Sequence, residues 1–124
     1  MTWLVVGVGG AIGSMARHGV NMLVARLLMR PVPFATAAIN LAGSLIIGVL
    51  AALVASSKVH LSTELRSFLF VGILGGFTTF SSYMLDTFTL GHGGDHATAF
   101  WNVAIQTVCG LVAVWGGYRI GLAV

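Results

Sequence analysis

The sequence predicts an all-α integral membrane protein of four transmembrane helices, with the third helix broken at mid-membrane. Three observations predict it. Of the 124 residues, 57% are hydrophobic and only 7% are charged, against about 25% charged in a soluble domain. The apolar residues fall into four long stretches, each suited to a helix that crosses a ~30 Å hydrocarbon core. Within the third stretch lies a run that ordinary membrane helix does not carry, Gly75-Gly76-Phe77-Thr78-Thr79-Phe80-Ser81-Ser82-Tyr83. The length fits a single four-helix domain and leaves no room for a second core.

The first stretch covers residues 3–28, is interrupted by Arg17-His18, and ends at Arg26, Arg30 and a Pro31-Val32-Pro33 turn. It has no basic leader segment and is read as a retained span. The second covers 34–55 with no charge. A polar link follows, in which Ser62 or Thr63 is suited to cap the next helix. The third stretch covers 65–90, and the fourth 97–122 after the loop Gly91-His92-Gly93-Gly94-Asp95-His96. Segments this long and continuous are helices rather than barrel strands.

Gly9/Gly13, Ser44/Gly48, Gly72/Gly76 and Gly117/Gly121 each place two small residues on one helix face. Such faces let backbones approach where lipid gives no hydrophobic drive. They pack either within the four-helix unit or against another subunit, and because four small helices enclose little, some are expected to meet a second subunit. With four spans, Lys58, Arg66 and Arg119 share one side and Arg26 and Arg30 the other. That near balance gives almost no orientation instruction and permits insertion both ways, and hence an antiparallel dimer.

The basic residues are scattered, so the net charge of +3 reflects few acids and gives no nucleic-acid signal. The single cysteine, Cys109, excludes an intrachain disulfide and is read as a small buried hydrophobe. No nucleophile–base pair, carboxylate pair or phosphate loop points to an enzyme.

Several polar groups fall inside the apolar stretches. A central arginine costs about 2.5–3.5 kcal/mol on insertion scales, so Arg17 either snorkels to an interface or gives a water-filled vestibule a positive potential. Asn40 is the one strongly polar side chain of the second stretch, suited to an interhelical hydrogen bond or a ligand contact. Thr98, Asn102 and Gln106 recur at i, i+4, i+8 and form a stripe that should face protein or water. In the third stretch, Gly75-Gly76 weakens the helix, and Thr78, Thr79, Ser81 and Ser82 set four hydroxyls at mid-membrane. Backbone freed there must be satisfied inside protein or beside water, as in transporters and channels whose broken helices aim carbonyls and amides at ions. Phe77, Phe80 and Tyr83 recur at i, i+3, i+6. Electropositive ring edges beside donating hydroxyls can replace the hydration shell of a small anion, whereas Asp86 argues mildly against a purely anionic path.

The segment from Gly75 to Tyr83 resembles the third-helix pattern of the Fluc (CrcB) fluoride channel family, Gly-Gly-x-Thr/Ser-Thr-Phe-Ser-Thr-Phe. The likeness extends to Gly13-x-x-x-Arg17, to Ile39-Asn40-Leu41-Ala42-Gly43 and, more loosely, to the region of Gly110. The resemblance implies an antiparallel, dual-topology homodimer in the bacterial inner membrane, with two pores that export fluoride passively. It implies that Phe80 and Tyr83 stand at the two pore phenylalanine positions, with Ser81 and Ser82 the hydroxyl pair between them. It also implies that Asn40 and Thr107 line the pore and that Arg17 charges the vestibule. A structural sodium ion on the dimer axis would be held by backbone carbonyls matching Gly75 and Thr78, a ligation that suits a hard cation. The sequence departs from the family at Tyr83, a phenylalanine there, at Asp86, generally glutamate, and at Leu111, often a hydroxyl. Two competing readings are a proton-coupled multidrug transporter, which needs an acid that the first stretch lacks, and a non-transporting membrane subunit, which has no use for the hydroxyl-rich break.

Overall fold

The computed structural model describes residues 1–28 and 34–124, and the expected turn at Pro31-Val32-Pro33 lies outside them together with Arg30. Helix α1 is Thr2–Leu28 and α2 is Phe34–Ala55. A third rod follows in pieces: α3 (Thr63–Arg66), a π-helical segment (Ser67–Leu74), α4 (Gly75–Phe77) and, after two extended residues, α5 (Phe80–His92). Helix α6 is His96–Ala123. Among the described residues the fold is all-helical. Three rods, Phe34–Ala55, Thr63–His92 and His96–Ala123, are long and apolar enough to cross a membrane. Helix α1 is comparably long but less apolar, carrying Arg17 and Arg26.

The helix ends follow from local chemistry. The Ser62 hydroxyl accepts from the Leu65 N–H and caps α3. Asp95 caps α6 by accepting from the Thr98 N–H at 3.0 Å. The bond from Thr98 holds the Asp95 carboxyl below the ordinary carboxylate range. At the far end of α6, Lys58 Nζ donates to the Leu122 carbonyl at 2.6 Å, placing a cation on the negative end of a helix dipole.

Two glycine-lined seams hold the bundle. Along the first, α1 lies on the π segment and α4. A Cβ on Gly9 would stand 2.8 Å from the Phe68 carbonyl oxygen, one on Gly76 2.6 Å from that of Gly10, and one on Gly13 would strike Ile73. Along the second, α2 lies on α6, with Gly48 against Val114 and Gly117 against Leu45. The small-residue faces of Gly9/Gly13, Gly72/Gly76, Gly48 and Gly117/Gly121 are therefore occupied within one chain. Helix–helix contact inside one chain thus uses each of these glycines, while Ser44, which shares a face with Gly48, is only half-buried.

What is buried and what is exposed are inverted relative to a soluble protein. Thr36, Thr79, Asn102 and Gln106 are buried, whereas Val71, Phe88, Phe100, Val108, Val112 and Trp115 are exposed. Large apolar side chains on the outside and paired polar ones on the inside suit a lipid surround. Cys109 is exposed among these outward residues of α6, not buried as expected, because α6 turns its Asn102–Gln106–Gly110 face inward.

Candidate functional site

The break in the third rod falls at Thr78-Thr79. Thr78 is extended at φ −80°, ψ 160°, and Thr79 at φ −153°, ψ 115°. The glycines do not form the break. Gly75 is right-handed helical at φ −64°, ψ −35°, and Gly76 is small because Gly10 of α1 lies against it. The break thus begins three residues after Gly75, where glycine propensity alone would set it, because propensity is small beside a packed interface.

A side chain holds the break open. The Asn40 carboxamide acts as a substitute peptide group for Thr79: its Oδ1 accepts the Thr79 N–H at 2.9 Å, and its Nδ2 donates to the Thr79 carbonyl at 3.1 Å. Both backbone groups of the extended residue, freed by the break, are thereby paired. Thr78 turns back instead, its N–H and its hydroxyl both donating to the Leu74 carbonyl at 2.9 Å. The Thr79 hydroxyl accepts from the Ser82 N–H at 3.2 Å and donates to the Ser82 hydroxyl at 3.0 Å, capping α5. Asn40 is thus an interhelical hydrogen-bonding residue, and its partner is the break itself.

The network continues into α6. Asn40 Nδ2 also donates to Gln106 Oε1 at 2.8 Å, Gln106 Nε2 to Asn102 Oδ1 at 2.9 Å, and Asn102 Nδ2 to Thr87 Oγ1 at 2.8 Å. The i, i+4 spacing of Asn102 and Gln106 puts both on one face of α6, and that face is inward. Their pairing with Asn40 and Thr87 is what the sequence did not disclose; the spacing was the only signal of it.

Two open grooves flank the break. The first, of about 450 Å³, is lined by Asn40, Gly75, Thr78, Phe80, Tyr83 and Thr107 among others. Phe80 is 73% exposed there, while Tyr83 is buried. Their ring centroids lie 5.7 Å apart in a T-shaped arrangement. The Tyr83 hydroxyl is directed at α6, 3.4 Å from both the Val103 carbonyl and Thr107 Oγ1. The second groove, of about 400 Å³, is lined by Asn21, Thr36, Thr79, Ser82 and Asp86 among others. The buried Thr36 hydroxyl donates to Asp86 Oδ2 at 2.7 Å. Thr79 borders both grooves.

The structure therefore separates residues that the sequence ran together. Phe80, Tyr83, Asn40 and Thr107 share the first groove with Gly75 and Thr78, whereas Ser82 faces the second. Ser81 is exposed, with its hydroxyl 3.4 Å from that of Thr79, and lines neither. Arg17 is half-buried on α1 and lines neither, although Asn21, one turn along the same face, lines the second. Leu111 is exposed at the α6 surface.

Electrostatically the break has two signs. The N-terminus of α5 presents amide N–H groups and a positive dipole end, which favour an anion. The C-terminus of α4 presents carbonyls without helical donors. The Thr79 N–H, which would have closed the next bond on Gly75, is bonded to Asn40 instead. No cluster of three or more His, Cys, Asp or Glu side chains suited to a metal occurs among the described residues.

Comparison with known proteins gives a consistent result. The profile of a family described as CrcB-like protein, Camphor Resistance (CrcB), matches residues 4–118. A protein of Paracoccus denitrificans described as a fluoride-specific ion channel FluC is 47% identical over 120 residues, covering 97% of this chain and 94% of that one. A protein of Symbiobacterium thermophilum with the description FluC 1 is 42% identical over 122 residues, with 98% of each chain covered. One of Rhodospirillum rubrum is 40% identical over 119 residues, covering 95% and 92%.

Proposed function

The chain belongs to the CrcB-like family, and from that premise we propose that it is a fluoride-selective channel that lets fluoride leave the cytoplasm passively. The observation that carries this reading is the Asn40-clamped break, which sets the exposed Phe80 ring and the positive end of α5 beside one groove. Fluoride is small and strongly hydrated, so a pore for it must replace water with donors. Ring edges at Phe80 and Tyr83 and the hydroxyl of Thr107 supply electropositive contacts along the first groove. Ser82 and Asn21 offer donors on the other side of the break, with Ser81 at its rim. Arg17, in α1 as a fourth span, raises the local potential for anions. Channel activity of this kind is transport and not an enzyme reaction.

The same reading places the protein in the plasma membrane as an antiparallel homodimer. Its support is the near balance of Lys58, Arg66 and Arg119 against Arg26 and Arg30, and the first groove, which one chain leaves open beside Gly75 and Phe80. A structural sodium ion fits the donors present. The Gly75 carbonyl has lost its helical donor to Asn40, and Thr78 is extended, so both oxygens suit a hard cation. A second copy would complete the shell, and the ion would neutralise the negative end of α4. A proton-coupled cation transporter would need an acid in α1, which has none. The test is fluoride efflux from proteoliposomes with chloride as control. Fluoride without chloride supports the reading; equal passage of both, or of neither, overturns it.

A further inference from the structure

The polar relay through α6 has a fixed direction. The Thr87 hydroxyl has one proton and donates it to the Tyr83 carbonyl at 2.8 Å, so it must accept from Asn102 Nδ2. That leaves Asn102 Oδ1 for Gln106 Nε2, and Gln106 Oε1 for Asn40 Nδ2. Asn40 Oδ1 is then the atom facing the Thr79 N–H. Both ends are backbone groups, a carbonyl and an N–H, whose polarity cannot reverse. Reversing any one amide would set donor against donor or acceptor against acceptor, and Asn102 and Gln106 are buried at 8% and 7% exposure, so a mismatched pair costs free energy there.

The relay also closes on itself in space. It leaves the third rod at Tyr83, crosses α6 and α2, and returns at Thr79, one helical turn away. The first turn of α5, which carries Phe80, is thus gripped at both ends. We propose that Gln106 and Asn102 are positioning residues: they lock the Asn40 carboxamide in the orientation that holds Thr79 extended, and so fix the first turn of α5 beside the groove. This rests on the channel reading for its functional consequence but not for its structural one.

The experiment uses the whole purified protein and the variant Gln106→Met, which keeps side-chain length and removes both bonds. Amide hydrogen exchange in the segment 79–82 should quicken about tenfold, with α2 and α6 unchanged, and fluoride efflux from proteoliposomes should fall about tenfold. Asn102→Leu, one step further along, should give the same pattern at about threefold. The double variant should be no worse than Gln106→Met, because both act through one chain. Unchanged exchange in 79–82, or a rise spread evenly over all helices, overturns the proposal, as does quickened exchange with unaltered flux. A native chain that passes no fluoride overturns the channel reading instead, and the exchange pattern still decides whether the relay holds the break.

Discussion

Replacing Asn40 by leucine tests the clamp most severely. The volumes are similar, so no cavity opens, but three hydrogen bonds vanish: from the Thr79 N–H at 2.9 Å, to the Thr79 carbonyl at 3.1 Å, and to Gln106 Oε1 at 2.8 Å. Each stranded group costs about 1–3 kcal/mol. Thr79 and Gln106 both border a groove that admits water, so the lower end applies to all three groups, and the total is about 3 kcal/mol. For a chain of this size that corresponds to a fall in thermal midpoint of about 10 °C, followed by tryptophan fluorescence in detergent. Fluoride flux should be lost at temperatures well below the new midpoint, because the start of α5 is no longer fixed. A midpoint within about 1 °C of the native value, with flux retained, would refute the reasoning that Asn40 holds the break.

Three further outcomes are expected. Gly13→Ala should disrupt the α1 seam at a cost of about 1–3 kcal/mol, because its Cβ would meet the Ile73 carbonyl and stand 2.8 Å from the Phe77 nitrogen; Gly7→Ala, with nothing within 4 Å, should leave the midpoint unchanged. Tyr83→Phe removes two long hydroxyl contacts of 3.4 Å, so stability should change by under about 1 kcal/mol and fluoride passage should persist, measured by the same efflux assay. Phe80→Ala should leave the thermal midpoint near native, since the ring is 73% exposed, while lowering fluoride efflux at least about tenfold by removing a ring edge from the groove.

The helical rods were legible because length and apolar run determine them. Helix α2 occupies the same residues, 34–55, as the uncharged second stretch, and Ser62 caps α3 as its position suggested. The inward face of α6 was legible from the spacing of Asn102 and Gln106. Thr98 takes another part, giving its N–H to Asp95 at the helix start. The exact place of the break was not legible. Glycine propensity pointed to Gly75-Gly76, yet the deciding contacts come from Asn40, 39 residues away in sequence from Thr79. The π register of Ser67–Leu74 was hidden for a similar reason: its composition is ordinary apolar helix, and the unusual turns occur where α1 packs through Gly9 and Gly72. Likewise a small-xxx-small pair announces close approach without saying to which partner, and here the partners lie in the same chain.

We propose fluoride-selective passage centred on the Asn40-clamped break at Thr78-Thr79. Its most direct test loads proteoliposomes with equal potassium fluoride and potassium chloride, adds a potassium ionophore, and follows both anions with selective electrodes. Rapid release of fluoride with chloride retained is expected, as is loss of that release in Phe80→Ala and Asn40→Leu. Release of both anions together, or retention of both by the native protein, would contradict it.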